Sequence, residues 1–439
     1  MVCLLKIVDN LREISKNKAR VVKVFKFGGA SVKDAQSVRN MSNIIWQHLA
    51  DPLVVVISAM DKMTNAFEEI LATTMRGDDN SAQIQGVKDF HQQIIADLGL
   101  AFDKTLQEDI AQIFEQLIQG LNSYSSSFGY DFVYDQTVSL AEVISTKIVA
   151  AHLNNNAVPC TWLDARKVVK TNNDHRQAIV DYGATQAMIK SQVKPLLEKG
   201  PVITQGFIGS NAKYNTTTLG REGSDFSAAI FATSLKAHAV TIWKDVPGIL
   251  NADPKKFEGT VLYPRLPYKE VAEMTYYGAK VIHPKTIKPL AQMGIPLYVK
   301  SFQHPEEEGT TIEECVVPNL HPAIILKENQ TVMSFKISDF SFINEGHILS
   351  IFENIKRLNL TIHLMQNSAI SFTICMDDNP LKREQLQTAL SDIFNIYYNE
   401  GLSLITVKNY NQPTIETLMY GREIIIEQRS RNNFQMVFR

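Results

Sequence analysis

Leu53 to Ser58 reads Leu-Val-Val-Val-Ile-Ser, a short and uninterrupted apolar run. A strand that is apolar on both faces must be covered on both faces. That is the situation of a central strand in a parallel sheet, not of a half-solvated antiparallel one. Upstream, Val21–Phe27 alternates and is rich in β-formers, Gly28-Gly29 break it, and a helix is expected from Ser31 to about His48. Ser31 is the expected N-cap, with Asp34 three residues on. Strand, glycine loop, helix and strand make a βαβ unit, which commits this part of the chain to an α/β architecture.

The pattern continues. Residues 66–128 read as mostly helical, with a turn at Gly77-Asp78-Asp79-Asn80, and Leu140–Leu153 reads as another helix. Strand-like runs recur at Val158–Leu163, Pro201–Phe207 and Ala239–Trp243, each followed by a loop rich in Gly, Asp or Asn. A mostly parallel sheet follows, with ligands beyond the strand C-termini. Near residue 303 the texture changes, and 304–322 reads as a linker carrying charged and proline-rich turns. Beyond it, strands at Val332–Ile337, Leu360–Met365, Ala369–Met376 and Leu402–Val407 enclose helices at Glu345–Asn359 and Pro380–Phe394. That order, βαββαβ, is ferredoxin-like. The last thirty residues offer one helix (Ile415–Tyr420) and a hairpin (Ile424–Glu427 with Phe434–Phe438), a partial second copy of the small unit.

A chain of 439 residues needs two or three domains. A formal net charge of −2 argues against a nucleic-acid or anionic-membrane partner, and no run of 18 or more apolar residues offers a membrane span. Cys3, Cys160, Cys315 and Cys375 are scattered without CxxC spacing, as expected of reduced thiols in the cytoplasm. Residues 1–19 have too short an apolar part for a signal peptide and are expected to be an N-terminal extension.

Three motifs carry chemistry: Lys26-Phe27-Gly28-Gly29-Ala30-Ser31, Thr218-Leu219-Gly220-Arg221-Glu222-Gly223-Ser224-Asp225, and Lys244-Asp245-Val246-Pro247-Gly248. Lys26 ends a strand just before two glycines. It can reach a transferring phosphoryl group while Gly28 and Gly29 bring backbone N–H groups to phosphate oxygens. The loop is not a Walker A loop, and alone it reads equally well as a turn beside a solvated lysine. Arg221 can clamp a carboxylate in two-pronged fashion. Ser224 is expected to cap a helix whose first turn holds Asp225, placed to orient Lys26 or help hold Mg²⁺. Ser58 and Thr64 follow the central strand, and Glu142 lies early on a helix where an ordinary solvated face is the plainer reading. Lys255 follows Asp253-Pro254, and Tyr277-Gly278-Ala279-Lys280-Val281-Ile282-His283-Pro284 carries a further lysine for phosphates. His283, before proline, is expected to be structural.

In this order the motifs resemble those of the aspartokinases of the amino-acid kinase family, well over residues 20–303 and more loosely beyond, where the small unit resembles an ACT regulatory domain. The resemblance implies a three-layer αβα catalytic domain at 20–303 and an ACT region at 323–439, its second unit truncated or degenerate. It implies ATP-dependent phosphorylation of the β-carboxylate of L-aspartate, with Mg²⁺. Lys26, Gly28, Gly29, Ser31, Lys244, Asp245, Lys255 and Lys280 would serve the nucleotide, with Lys26 and Asp225 catalytic. Ser58, Thr64, Glu142, Arg221 and Ser224 would hold the substrate. Gly346, His347, Asn367 and Ser368 would form an amino-acid effector turn, and the ACT region would make a homodimer or larger homo-oligomer. His363 and Ala369 stand where lysine-inhibited relatives carry acidic residues, which implies another effector or a mainly dimerising role. The rival readings are a kinase for glutamate, N-acetylglutamate or carbamate, and a non-catalytic amino-acid sensor.

Overall fold

The computed structural model describes residues 21–124, 128–337 and 341–439. The expected extension at 1–19 lies outside the described residues. Two compact units emerge. The first comprises residues up to Ile249, with Leu262–Ala272 and Ile282–Val316; the second comprises Leu250–Val261, Glu273–Val281 and Val317–Arg439. Two short stretches read from sequence as part of the catalytic domain therefore belong to the second unit.

In chain order the first part of the chain forms β1 (Lys23–Phe27), α1 (Ala35–Trp46), β2 (Leu53–Ile57), α2 (Met63–Arg76), α3 (Ser81–Asp97), α4 (Lys104–Tyr124), α5 (Tyr130–Thr137), α6 (Leu140–Asn155) and β3 (Thr161–Leu163). It continues with α7 (Tyr182–Leu197), β4 (Val202–Gln205), β5 (Ile208–Ser210), β6 (Thr216–Thr218), α8 (Gly223–Leu235), β7 (Ala239–Lys244), β8 (Arg265–Pro267), α9 (Tyr268–Tyr276), α10 (Pro284–Met293), β9 (Leu297–Ser301) and β10 (Thr310–Glu313). Eight strands form one sheet in the order β3-β4-β2-β1-β7-β9-β10-β8, parallel except where β10 meets β9. All five residues of β2 are buried, as its unbroken apolar run requires. Register sets Lys26 between Val56 and Ile242, and Phe27 between Ile57 and Trp243. The C-terminal ends of the central strands thus lie side by side.

Two helix starts differ from the sequence reading. The cap of α1 is Asp34, whose side chain accepts the Ser37 N–H at 2.7 Å. Ser31 instead sits buried in a 3₁₀ turn over Gly29–Val32. The cap position of α8 is Glu222, with a left-handed φ of 54°, and no side chain caps the helix; Ser224 lies inside it. His283 does have the structural role expected of it, its ring accepting the Lys285 N–H at the start of α10. The stretch read as a linker is partly sheet, because Thr310–Glu313 is strand β10 of the first unit. Among the described residues no helix is long and apolar enough to cross a membrane.

The second unit is built on two long strands, β11 (Ala323–Ile337) and β14 (Phe394–Lys408), with α11 (Glu345–Arg357), β12 (Ile362–Asn367), β13 (Ser371–Asp377) and α12 (Pro380–Leu390) between them. After β14 come α13 (Gln412–Met419), β15 (Ile424–Arg429) and β16 (Asn433–Phe438). The six strands run β12-β13-β11-β14-β16-β15, all antiparallel. The far half of β11 and the near half of β14 complete a ferredoxin-like order with β12 and β13. The other halves, Ala323–Lys327 and Leu402–Lys408, do the same with β15 and β16. The partial second copy thus borrows its last strand from the start of β11 and has a single helix, α13. Met333, Phe335, Ile351, Ile355, Phe372 and Leu386 form one core of this unit, and Ile405, Ile415, Leu418, Phe434 and Met436 another.

Candidate active site

A cavity of about 1200 Å³ opens in the first unit at the C-terminal ends of the central strands. Nine residues singled out from sequence line it: Lys26, Gly29, Ser58, Thr64, Glu142, Arg221, Ser224, Asp225 and Lys244. Gly28, Ser31 and Asp245 are not among its lining residues. Lys255 and Lys280 belong to the second unit.

Close backbone packing shapes the floor. A Cβ on Gly29 would stand 2.5 Å from the Asp61 carbonyl oxygen and 2.9 Å from that of Ala59, so only glycine lets the loops after β1 and β2 meet. The Asp61 N–H donates to the Gly29 carbonyl at 3.1 Å, and the Ser58 N–H to that of Phe27 at 3.1 Å. A Cβ on Gly206 would stand 2.5 Å from that of Ser224, so the backbone just after β4 and the first turn of α8 are in direct contact. The Phe207 N–H donates to Ser227 Oγ at 2.9 Å and fastens the same turn. Asp61, Arg176, Phe207 and Glu222 all line the cavity with positive φ, a clustering of backbone strain found at functional sites.

Lys26 Nζ is paired with Asp225 Oδ1 at 2.7 Å, and both side chains are nearly buried. Burial alone would raise the Asp225 carboxyl, but the charges of Lys26 and Lys244 outweigh it and hold the group below its usual value. Glu142 goes the other way. It is buried, and loss of hydration pushes its carboxyl up to about 8 against weaker pulls from the Ala59 N–H and Lys26. Its Oε2 is buried with no hydrogen-bond partner among the described residues. The first turn of α8, with no capping side chain, adds N–H groups and the positive end of the helix dipole. Lysines, arginines, amide donors and a carboxyl with one unsatisfied oxygen thus share one cleft. Such a set suits an anionic ligand that also carries an ammonium group.

Several lining residues had no sequence signal. Asp61 follows Met60 in an ordinary turn. Lys285, at the start of α10, lies in the conspicuous stretch around His283-Pro284 but was not singled out from it. His175 and Arg176 sit in a polar loop with no motif, tied to the buried Asp135 on α5. Tyr134 Oη donates to Glu68, and burial first, then that carboxylate, raises the phenol. In the second unit, Gly346 lies in the first turn of α11 and His347 completes the capping box with Asn344. Ser368 closes the turn to Ser371, and Asn367 ends β12. His363 is held between Lys327 Nζ at 2.9 Å and Asp377 Oδ1 at 2.9 Å.

Residues 22–301 match the amino acid kinase family. The chain is 31% identical over 392 residues to the lysine-sensitive aspartokinase 3 of Escherichia coli (strain K12), covering 88% of this chain and 86% of that one. It is 28% identical over 413 residues to the chloroplastic aspartokinase 1 of Arabidopsis thaliana, covering 92% and 69%. Its structure matches that of E. coli aspartokinase III in complex with aspartate and ADP, with a TM-score of 0.79 at 28% identity over 95% of this chain and 96% of that one. By this profile, identity and shared fold, the chain belongs to the amino acid kinase family, among its aspartokinases.

Proposed function

We propose that the cleft transfers the γ-phosphoryl group of ATP to the β-carboxylate of L-aspartate, giving 4-phospho-L-aspartate and ADP. This is the entry step to lysine, threonine, methionine and diaminopimelate. The observation that carries the reading is the buried Lys26–Asp225 pair beside the uncapped start of α8, in one cavity with Arg221 and with Glu142, whose Oε2 has no hydrogen-bond partner among the described residues. Lys26 neutralises the charge that spreads over the transferring group, and Asp225 keeps that ammonium charged and aimed. The Gly28-Gly29 loop brings its amides toward the phosphates, and Ser31 holds its turn by donating its N–H to the Gly28 carbonyl at 2.9 Å. Lys244 and Asp245 take the nucleotide side.

Arg221 clamps the α-carboxylate of aspartate. Glu142, with Ser224 and Asp225, receives the α-ammonium, and Ser58 and Thr64 flank the reacting β-carboxylate. That carboxylate is already ionised at neutral pH, so the chain supplies no general base and forms no covalent intermediate. Magnesium suits this donor set. Asp225 would help hold it together with phosphate oxygens, since magnesium takes one or two carboxylates plus phosphate rather than an all-protein cage. Bound there, it would supply charge neutralisation at the phosphates.

The second unit, with its paired ferredoxin-like orders, is the amino-acid effector region and the homodimer interface. The three described cysteines are free thiols, in keeping with a cytoplasmic enzyme. The reaction is tested by trapping the acyl phosphate with hydroxylamine, using Mg·ATP and L-aspartate beside L-glutamate and N-acetyl-L-glutamate. Hydroxamate with aspartate alone is the expected result. Signal only with another acid moves the chain elsewhere in the family, and silence with all three, despite ATP binding, favours a sensor.

A further inference from the structure

Behind the lining of the cleft lies a buried carboxylate that the phosphoryl-transfer scheme leaves unused. Asp135, on α5, is fully buried. Its oxygens accept the Thr218 N–H at 3.1 Å, the Thr218 hydroxyl at 2.7 Å and the Arg176 N–H at 3.1 and 3.2 Å, and one of them lies 2.8 Å from His175 Nδ1. Two of these donors are backbone amides, whose direction cannot reverse. With the Thr218 hydroxyl they make a donor set that suits an ionised Asp135, which assigns the Nδ1–H of His175 as a further donor to it. Such a bond fixes both the tautomer and the orientation of an imidazole.

The other ring nitrogen, Nε2, has no hydrogen bond to protein among the described residues, and His175 lines the cavity. The ring is braced edge-on against Phe132 at 5.1 Å. Its loop also abuts the turn that carries Arg221. The Ala178 N–H donates to the Thr218 carbonyl at 2.9 Å, and a Cβ on Gly220, at φ +77°, would stand 3.1 Å from the Arg176 carbonyl oxygen. The charged groups lining the cavity include Glu68 on α2, Asp131 on α5, Asp174 and Arg176 in the same loop, and Arg221 and Glu222 in the turn before α8, with Lys26, Asp61, Glu142, Asp225, Lys244 and Lys285 making up the rest. Arg176 is already engaged by Asp131 at 3.0 Å and by the Tyr134 ring.

We propose that His175 is a further substrate-contacting residue, held by Asp135 so that Nε2 meets a charged group of the acceptor amino acid beside Arg221. This rests on the aspartokinase reading above. Two substitutions separate the ring's two nitrogens. His175→Asn keeps an N–H near the Nδ1 position, so the bond to Asp135 survives while the far contact is lost. His175→Gln reaches the Nε2 position and gives up the bond to Asp135.

The experiment measures kcat and both KM values for the two variants beside wild type, with melting temperature as a folding check. His175→Asn should raise KM for aspartate roughly ten- to a hundredfold, the worth of one hydrogen bond to a charged group, and leave KM for ATP and kcat unchanged. His175→Gln should recover most of the aspartate KM. A purely structural histidine predicts the opposite ranking, with Asn near wild type and Gln impaired, and that result overturns the proposal. An unchanged aspartate KM in His175→Asn overturns it too. Both leave the reaction itself standing, whereas a wild type inert toward aspartate refutes the underlying reading.

Discussion

Glu142 and Asp225 are buried in the same cleft, yet their carboxyls are driven in opposite directions. Asp225 has a lysine at 2.7 Å, and its stabilising charge is present above its ordinary value and lost only as pH falls through its lowered one. Glu142 has no such partner, and its folded value of about 8 lies above its ordinary 4.5. Between those values the folded chain binds more protons than the unfolded chain, so the stability that Glu142 contributes falls as pH rises through that window. Glu142→Gln, which removes the ionisation but keeps the shape, should melt higher than wild type near pH 8 and alike below about 4.5. It should also lose aspartate binding, because an amide carries no charge to meet an ammonium. Thermal melts across pH, with aspartate titrations, check both parts. The sequence placed Glu142 on its helix and could equally read it as a solvated face. Its burial depends on α6 being enclosed on nearly every side, which a linear pattern does not show. His175 and Asp135 were illegible for a related reason, since they meet across 40 residues of chain.

At the scale of elements, the βαβ unit was legible because β2 is apolar on both faces and its neighbours carry glycine and cap signals. The caps themselves were misread. Ser31 and Asp34 both suit a cap, and the choice falls to Asp34 because Gly29–Val32 forms a 3₁₀ turn first. Asp34→Ala should cost about 1 kcal/mol of stability and leave kcat unchanged, as measured by denaturant unfolding and steady-state kinetics. Gly206→Ala is the contrast. Its Cβ would fall 2.5 Å from that of Ser224, so the first turn of α8 must move, and both stability and activity should drop together. The long strands β11 and β14 were seen only in part. Polar residues at Lys327 to Gln330, with Asn329 at φ 55° and shifts in strand register, interrupt the apolar pattern of β11. In β14 the exposed polar stretch before Gly401 does the same.

Across the whole molecule, two units with different sheets correspond to two kinds of sequence texture, one parallel and apolar, one alternating. The division between them was less legible, because short stretches at 250–261 and 273–281 join the second unit from within the catalytic sequence. So was the sharing of β11 and β14 between two ferredoxin-like orders, since each strand has to be divided before the pattern appears. An effector that binds only the folded chain stabilises it by about 2.7 kcal/mol at a hundred times its Kd. His363 is engaged by Lys327 and Asp377, and Ala369 offers no charge, so lysine should give a small melting shift. Melting scans with lysine, threonine and methionine check this. A large saturable shift with lysine contradicts the expectation.

The central claim is that Lys26 serves phosphoryl transfer in a cleft that also holds aspartate. Its most direct test is the rate of hydroxamate formation by wild type and Lys26→Met, with ATP and aspartate binding measured on the same preparations. Removing the lysine alone strands a buried carboxylate at a cost of about 3–5 kcal/mol, so Lys26→Met/Asp225→Asn is assayed alongside to keep a folded comparison. Loss of one preorganised charge at the reacting group predicts a fall of at least roughly a hundredfold in Lys26→Met, with aspartate still bound, and no recovery in the double variant. A Lys26→Met enzyme that forms hydroxamate at nearly the wild-type rate would contradict the account.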